Sequence, residues 1–271
     1  NSTWTDIGNW GNTCASCYPG ATTTDTVLIA TSTVAGVVTV NATTTLVSPI
    51  RTLTLGWVGA SNSSNSGNLI IGNGATITAS TSVTLIGTST ISLGYRNTAS
   101  STIWGSGNLT FANGNDNANQ FLFGTTTTAF FAATGTVTFT GTGAKIIIAT
   151  TTYYNLTLTP TSTTVFNTFR FGQNDSTCTA GGCTATTTIS NALTLSAYAN
   201  ANFNSTAVIL SGSGTAFSKS RGTFVANGSL VKYTNASAAT DVATGTYDNL
   251  VISGTSITKT LLGNTTATRT V

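Results

Sequence analysis

The stretches TTYYNLTLTP (151–160) and TGTYDNLVIS (244–253) share one pattern: a tyrosine, an asparagine, a leucine and then an alternating strand. Their equivalent tyrosines, Tyr153 and Tyr247, are 94 residues apart (247 − 153 = 94). Recurrence of one short phrase along a chain is typical of solenoids, in which one structural unit stacks on the next. The pattern therefore predicts a repetitive fold.

Asparagine-leucine pairs that begin apparent strands recur outside these two stretches. The full set begins at Asn68, Asn108, Asn155 and Asn249, with a related NALTL stretch at Asn191. Two of the gaps are about 40 residues, which is twice a repeat of about 20 and within the range of solenoid periods. Val, Ile, Thr and Phe fill the intervening windows, Gly and Asn interrupt them, and no window has a helical period.

We therefore predict an all-β fold: a parallel β-helix with short disulfide-pinned loops and almost no helix. Tandem β-sandwiches of the pilin type, in which a donated strand links subunits, are the alternative. At the repeated phrase, we expect the tyrosine to cover a corner of the helix. Asn155 and Asn249 are expected to turn that corner, because Asn tolerates the left-handed conformation, and Leu156 and Leu250 to point inward.

The composition fits stacked strands. Only 6 % of the 271 residues are charged, against about 25 % in ordinary soluble proteins, and about a quarter are threonine. Like charges on adjacent strands would repel, whereas stacked Thr and Asn can hydrogen-bond to their neighbours. The net charge of +3 is spread along the chain, so we predict no nucleic-acid partner.

The first 26 residues differ from the remainder. They carry Trp4, Trp10, a close pair of cysteines and a Pro-Gly turn, which together predict a cap over the open end of a β-helix. We assign residues 1–26 to this cap and residues 27–271 to a single continuous solenoid body.

The W-x(5)-W opening, followed by TVLIA, VVTVN and GNLIIGNGATIT, resembles bacterial secreted pectin-lyase-like β-helix proteins, including autotransporter passengers and other surface adhesins. The stretch YDNLVISGTSITKTLLGNTT is similar to strand-pair repeats of large cell-surface proteins. The resemblance covers most of the chain. It implies a β-helix that serves mostly as a stalk or scaffold, with activity grafted on in some members.

Four cysteines form two close pairs, Cys14 with Cys17 and Cys178 with Cys183, although three connectivities are possible. A redox site would place its CxxC at the start of a helix, and a four-sulfur zinc site favours two CxxC knuckles. We predict two local disulfides and hence an oxidising compartment. The chain does not begin with methionine, so we expect a removed signal peptide and a secreted, extracellular or cell-surface location. No apolar run approaches the ~20 residues that span a bilayer, so we do not expect a membrane-embedded chain.

Ten asparagines fit the N-x-S/T acceptor pattern and are candidates for glycosylation where the source organism has the machinery. They are Asn1, Asn41, Asn62, Asn108, Asn155, Asn174, Asn204, Asn227, Asn235 and Asn264.

Catalytic patterns that need a histidine or a glutamate are missing from the sequence. Without histidine, no triad with a histidine base can form, and there is no glutamate. The nearest aspartates, Asp241 and Asp248, flank a predicted turn that they are expected to cap. The loop NGNDNANQ (113–120) has Asp116 as its single carboxylate, which is weak for calcium. We predict no enzyme activity, no metal site and no cofactor.

Two alternative functions depend on surface side chains. Trp57, Tyr95 and Trp104 would stack on sugars in a carbohydrate-binding or carbohydrate-active β-helix. Threonine pairs such as TIT (76–78) would bind ice if one lay at the same position of every repeat.

The C-terminal stretch TKTLLGNTTATRTV (258–271) alternates like an interior strand. Leu261 and Leu262 are available for burial, and only Lys259 and Arg269 would keep another strand from pairing with its edge. We therefore predict a structural or adhesive protein that assembles end to end into a homo-polymer, a filament or a stalk, through its terminal strands.

Overall fold

The structure is a computed structural model, and it describes residues 2–3, 19, 25–29, 36–40, 50–55, 57–58, 64–65, 67–72, 75–85, 89–93, 95–96, 103–104, 106–114, 121–123, 129–141, 145–171, 185–204, 206–254 and 257–270. Within these residues the chain is all-β, with no helix. This confirms the predicted all-β class, whereas the disulfide-pinned loops stay a prediction.

The described strands are mostly short, as expected of Thr-rich segments interrupted by Gly and Asn. In chain order they are β1 (Ser2–Thr3), β2 (Thr26–Ile29), β3 (Gly36–Val40), β4 (Ile50–Leu55), β5 (Trp57–Val58), β6 (Ser64–Asn65), β7 (Gly67–Ile71), β8 (Thr76–Leu85), β9 (Thr90–Ser92), β10 (Tyr95–Arg96), β11 (Ile103–Trp104), β12 (Asn108–Gly114), β13 (Phe121–Phe123) and β14 (Ala129–Phe131). They continue with β15 (Thr136–Gly141), β16 (Lys145–Ile148), β17 (Thr152–Pro160), β18 (Asn167–Phe171), β19 (Ala185–Leu195), β20 (Ala199–Asn202), β21 (Thr206–Leu210), β22 (Phe217–Lys219), β23 (Phe224–Val225), β24 (Leu230–Tyr233), β25 (Thr240–Val242), β26 (Gly245–Ile252), β27 (Lys259–Leu261) and β28 (Thr265–Thr270).

One compact unit comprises Asn1–Ala112 and Gln120–Val137. Its strands include a sheet in the order β1-β3-β7-β9-β14 and a second path β2-β4-β8-β12, with β13 also pairing with β8. The described pairings within these two paths are parallel. Two separate pairs, β5 with β6 and β10 with β11, are antiparallel.

The other compact unit comprises Asn113–Asn119 and Thr138–Val271. Its long sheet includes the path β17-β19-β21-β24-β26-β28, with β22 also on β19, and its short sheet is β16-β18-β20-β23. A further pair joins β25 to β27. The described pairings are again parallel. Parallel pairing is consistent with a solenoid and disfavours β-sandwiches, which are built from antiparallel sheets.

From β19 to β28, paired strands of the long sheet are separated along the chain by close to the expected repeat, whereas Thr152 in β17 pairs with Thr188 in β19 at a larger offset (188 − 152 = 36). Ala185 pairs with Thr206 (206 − 185 = 21), and Leu230 pairs with both Ala207 (230 − 207 = 23) and Asn249 (249 − 230 = 19). These offsets agree with the repeat of about 20 residues inferred from the sequence.

Alternation along each strand separates core from surface. In β17, Leu156 and Leu158 are buried while Asn155 and Thr157 are only half-buried, because successive side chains point to opposite faces of a sheet. Leu250 is buried in β26, so the inward placement predicted for Leu156 and Leu250 is confirmed.

Aromatic rings fill the interior of the second unit. Phe203 lies with its ring centroid 5.1 Å from Phe171, 5.8 Å from Phe217 and 5.4 Å from Phe224, and Phe224 lies 4.8 Å from Tyr247. All five side chains are buried. Contacts of this kind contribute about 0.5–1.5 kcal/mol each beyond the burial of their area.

Residues 4–18 and 20–24 of the predicted cap lie outside the described residues. The division into a cap at 1–26 and a body at 27–271 therefore stays a prediction.

Candidate functional site

The tyrosines of the repeated phrase act at corners, but from inside the fold. The hydroxyl of Tyr153 donates to the carbonyl oxygen of Ala149 at 2.8 Å, and that of Tyr247 donates to Ala243 at 2.7 Å. Both tyrosines are fully buried, and each accepting carbonyl belongs to the residue four positions earlier, directly after a strand. The phrase thus encodes a clamp that ties each corner to the core.

A third buried tyrosine, Tyr233, contacts the clamp of Tyr247. The hydroxyl of Tyr233 lies 3.1 Å from that of Tyr247 and accepts the backbone N–H of Ala243 at 3.2 Å. Burial raises the pKa of Tyr153, Tyr233 and Tyr247, and the neighbouring Tyr233 raises the pKa of Tyr247 further. These hydroxyls are therefore neutral structural donors at ordinary pH and are poorly suited to act as general bases.

The predicted role of the asparagines of the phrase is wrong, because Asn155 and Asn249 lie within strands. Their side chains instead link neighbouring strands: Asn155 Oδ1 accepts from Asn191 Nδ2 at 2.7 Å, and Asn249 Nδ2 donates to the carbonyl of Ser229 at 3.0 Å.

Two other asparagines occupy left-handed turns, Asn204 with φ 48° and Asn227 with φ 45°. Asn227 Nδ2 donates to Asn204 Oδ1 at 3.3 Å across 23 residues of chain. The sequence contains a turn signal at Asn227, which precedes a glycine. Asn204 follows strand β20. Neither asparagine belongs to the repeated phrase.

The predicted aspartate pair has two unrelated sets of partners. Asp241 accepts from the hydroxyl of Thr215 at 3.0 Å, and Asp248 accepts the backbone N–H of Gly228 in a neighbouring turn. Asp248 therefore caps a turn, but a turn of the preceding repeat and not the one between Asp241 and Asp248. Among the described residues, no three acidic or cysteine side chains gather to form a metal site, and Asp116 lies outside them.

The predicted disulfide residues Cys14, Cys17, Cys178 and Cys183 also lie outside the described residues, so both bridges stay predictions.

The glycosylation candidates differ in exposure. Asn227 and Asn264 are exposed, whereas Asn204 is buried and Asn235 Nδ2 donates to the carbonyl of Ser211 at 2.9 Å. A glycan attaches to the Nδ2 atom, and Nδ2 of the exposed Asn227 donates to Asn204, so Asn264 is the most accessible of these described acceptors. Asn108 and Asn155 are half-buried; Asn1, Asn41, Asn62 and Asn174 lie outside the described residues.

The aromatic residues proposed to stack on sugars lie in the two antiparallel strand pairs. Tyr95 is directly opposite Trp104, and Trp57 is opposite Asn65. The register therefore brings two of the three residues to one position of a hairpin.

Threonine ladders exist, but they are short within each unit. Thr78 faces Thr110 and Thr76 faces Asn108 in the first unit. In the second unit, Thr157 faces Thr194, which in turn faces Ser218. These ladders link two hydroxyls in the first unit and three in the second. An ice-binding array would need a threonine at the same position of every repeat, so this function stays a prediction.

The last described strand of the long sheet is β28. It pairs with β26 along one edge, and no described strand pairs with its other edge. Three large apolar side chains of the last described repeats are exposed, Ile252 at 43 %, Leu261 at 54 % and Leu262 at 52 %.

Lys259 was predicted to keep another strand from pairing with this edge, but it contacts the preceding repeat instead. Its ammonium donates to the carbonyl of Asn235 at 2.5 Å and to the hydroxyl of Thr240 at 3.2 Å. These contacts draw the charge away from the strand edge.

The part of the chain that the structure describes has no helix long and apolar enough to span a membrane. No protein-family model matches the sequence, and comparisons with curated proteins and with solved structures return no match.

Proposed function

We propose that the protein is an extracellular structural or adhesive component, a parallel β-solenoid that joins further copies end to end in a filament or stalk. The observation that supports the proposal is the edge of β28, with which no described strand pairs, together with the exposed apolar side chains of Ile252, Leu261 and Leu262 in the last described repeats.

The physical argument starts from the backbone. A strand edge presents a row of N–H and C=O groups that can pair with another chain. Proteins commonly protect such an edge with charges, but Lys259 is occupied by Asn235 and Thr240, which leaves Arg269 in β28 as the other predicted edge charge. A strand from a second copy would continue the hydrogen bonding of β28. Contact between two different surfaces of identical copies does not close on itself and yields filaments.

The predicted cap supplies a surface for the other half of this junction. Trp4 and Trp10 are large apolar anchors of the kind that dominate interfaces. We propose that they meet the β28 edge of the adjoining copy.

A passive role also fits the side chains. The buried tyrosine hydroxyls are neutral at ordinary pH because burial raises their pKa, and Asp241 and Asp248 are held by separate structural partners. We propose that the protein has no hydrolase or lyase activity and that glycans on exposed residues such as Asn264 help to keep its low-charge surface soluble.

A charge placed on the open edge tests the assembly. We expect the purified chain to form multimers at high concentration in sedimentation velocity, and Thr266→Lys to sediment as a monomer because a lysine blocks strand pairing. Thr186→Lys is the matched control, since Thr186 is also exposed but lies in the central strand β19.

The control should assemble like the unaltered chain. A chain that stays monomeric at every concentration, or two variants that assemble equally well, would contradict the proposed junction.

A further inference from the structure

Three side chains at successive corners of the short sheet occupy one register position. Asn167 pairs with Ala199, an offset of 32 residues that places Phe166 level with Tyr198 (166 + 32 = 198). Ala201 pairs with Phe224, an offset of 23 that places Tyr198 level with Arg221 (198 + 23 = 221). We call Phe166, Tyr198 and Arg221 the corner cluster.

The members of the corner cluster contact one another at the surface. The rings of Phe166 and Tyr198 have centroids 5.1 Å apart, and the guanidinium carbon of Arg221 lies 5.8 Å from the centroid of Tyr198. Arg221 Nη1 also donates to the Tyr198 hydroxyl at 2.9 Å. Phe166 is 47 % exposed and Arg221 is exposed, so an exposed ring and an exposed cation lie on either side of Tyr198.

The backbone conformation at Tyr198 indicates that its side chain has a role beyond forming the turn. Its φ is 66°, in the left-handed region, which costs a non-glycine residue about 1 kcal/mol or more. Asparagine tolerates this conformation better, and it is the residue found at the left-handed turns of Asn204 and Asn227. A bulky tyrosine at such a position is an outlier that suggests a function for its side chain.

The surroundings of the corner cluster are mostly polar, apart from the exposed Val165, and carry no described acid. Asn200 Oδ1 accepts the backbone N–H and the hydroxyl of Thr223, both at 3.0 Å. Arg170 lies opposite Asn202 in the register of the same sheet. The three described aspartates lie outside this sheet and its flanking loops 161–166, 196–198 and 220–223. Arg221 therefore has no described carboxylate partner.

We propose that the corner cluster binds a saccharide chain bearing anionic groups, with Phe166 stacking on a sugar ring and Arg221 pairing with its sulfate or carboxylate. Tyr198 is a positioning residue that supports the Phe166 ring and holds the guanidinium. Binding sites for small ligands combine aromatic surface with a few placed polar groups, and arginine matches oxyanions through two parallel hydrogen bonds.

A protein partner fits less well. A stable protein interface buries about 800 Å² on each side around an apolar core, whereas Thr, Ser and Asn dominate this neighbourhood. The proposal goes beyond the scaffold function and does not depend on end-to-end assembly.

Binding of the full chain to dextran sulfate and to uncharged dextran, measured by affinity electrophoresis at physiological salt, tests the proposal. We expect the sulfated polymer to bind and the neutral polymer to bind much more weakly. Arg221→Gln should weaken binding about tenfold and Phe166→Ala about fivefold, through loss of a charge-assisted hydrogen bond and of ring stacking. Arg51→Gln, which removes an exposed charge in the other unit, should change binding less than twofold.

Tyr198→Asn separates binding from folding. Because asparagine suits the left-handed turn, we expect its melting temperature to be unchanged or higher while binding falls about fivefold. A lower melting temperature with unchanged binding would contradict the assigned role of Tyr198. Equal losses for Arg221→Gln and Arg51→Gln, or no loss for Phe166→Ala, would overturn the site. Failure of both polymers to bind would exclude the saccharide in favour of a protein partner.

Discussion

The strands β21 and β28 belong to the same sheet but differ in burial. In β21, which lies between β19 and β24, four of the five residues are buried. In β28, which has β26 as its one described neighbour, none of residues 265–268 is buried. An alanine shows the contrast most directly: Ala207 in β21 is 6 % exposed, whereas Ala267 in β28 is only half-buried although it faces the buried Tyr247.

The difference teaches that burial in this protein depends on the number of neighbouring repeats. An inward side chain is enclosed only when a further repeat lies on each side of it, and the same applies to the backbone groups of its strand. Stability should therefore decline from the centre of the long sheet toward β28.

The largest effect is expected from removing a ring at the centre. Phe203→Ala should lower the free energy of unfolding by about 3–5 kcal/mol, because it leaves a cavity among Phe171, Phe217 and Phe224. Leu261→Ala, near the open edge, should cost less than about 1 kcal/mol, since its side chain is 54 % exposed. Urea unfolding measures both. Similar losses for the two variants would mean that the end of the sheet is as well packed as its centre.

Alkaline pH should weaken the tyrosine clamps. Strand β28 has no tyrosine, so it has no ionising hydroxyl of this kind. Burial raises the folded-state pKa of Tyr153, Tyr233 and Tyr247 above the unfolded value of about 10. Above pH ~10 the unfolded chain binds fewer protons than the folded chain, so stability falls as pH rises, by about 1.4 kcal/mol per pH unit for each tyrosine.

Below pH ~10 the three tyrosines contribute no pH dependence. Urea midpoints between pH 9 and 11.5 should show the decline, and Tyr153→Phe should make it shallower. A parallel decline in this variant and the unaltered chain would show that Tyr153 does not contribute.

A smaller effect is expected at neutral pH from deleting one clamp hydroxyl. Tyr247→Phe should cost about 1–2 kcal/mol, because the carbonyl of Ala243 and the hydroxyl of Tyr233 both lose a buried partner. Thr266→Ala in β28 is the control and should lie within about 0.5 kcal/mol of the unaltered chain. Thermal unfolding compares them. If Tyr247→Phe were as stable as the control, the repeated tyrosine would serve packing alone.

Sequence patterns predicted some of these features well and others poorly. The inward leucines, Leu156 and Leu250, were predictable because alternation within a strand depends on neighbours in the chain. The places of Asn155 and Asn249 were not, because an asparagine followed by an apolar residue suits either a turn or a ladder between strands. The tyrosine clamp could not be predicted for a related reason. A buried tyrosine hydroxyl needs a hydrogen-bond partner, and the sequence alone does not show which residue supplies it.

The corner cluster shows the same limit more sharply. Phe166, Tyr198 and Arg221 are separated by 32 and 23 residues, so no fixed period connects them. Loops of different lengths between paired strands change the spacing along the chain while the register across the sheet is kept. An open site made by three repeats could be found only from that register.

By itself, the sequence determined an all-β chain of stacked, charge-poor strands, because strand propensity, alternation and the avoidance of like charges on neighbouring strands are local properties. The tertiary structure decided which residues lie level with one another, which tyrosines and asparagines are satisfied inside, and which edge is left open. These features depend on the pairing of residues distant in the chain. Such pairing is selected by the burial and hydrogen bonding of the complete stack, so no single segment specifies it.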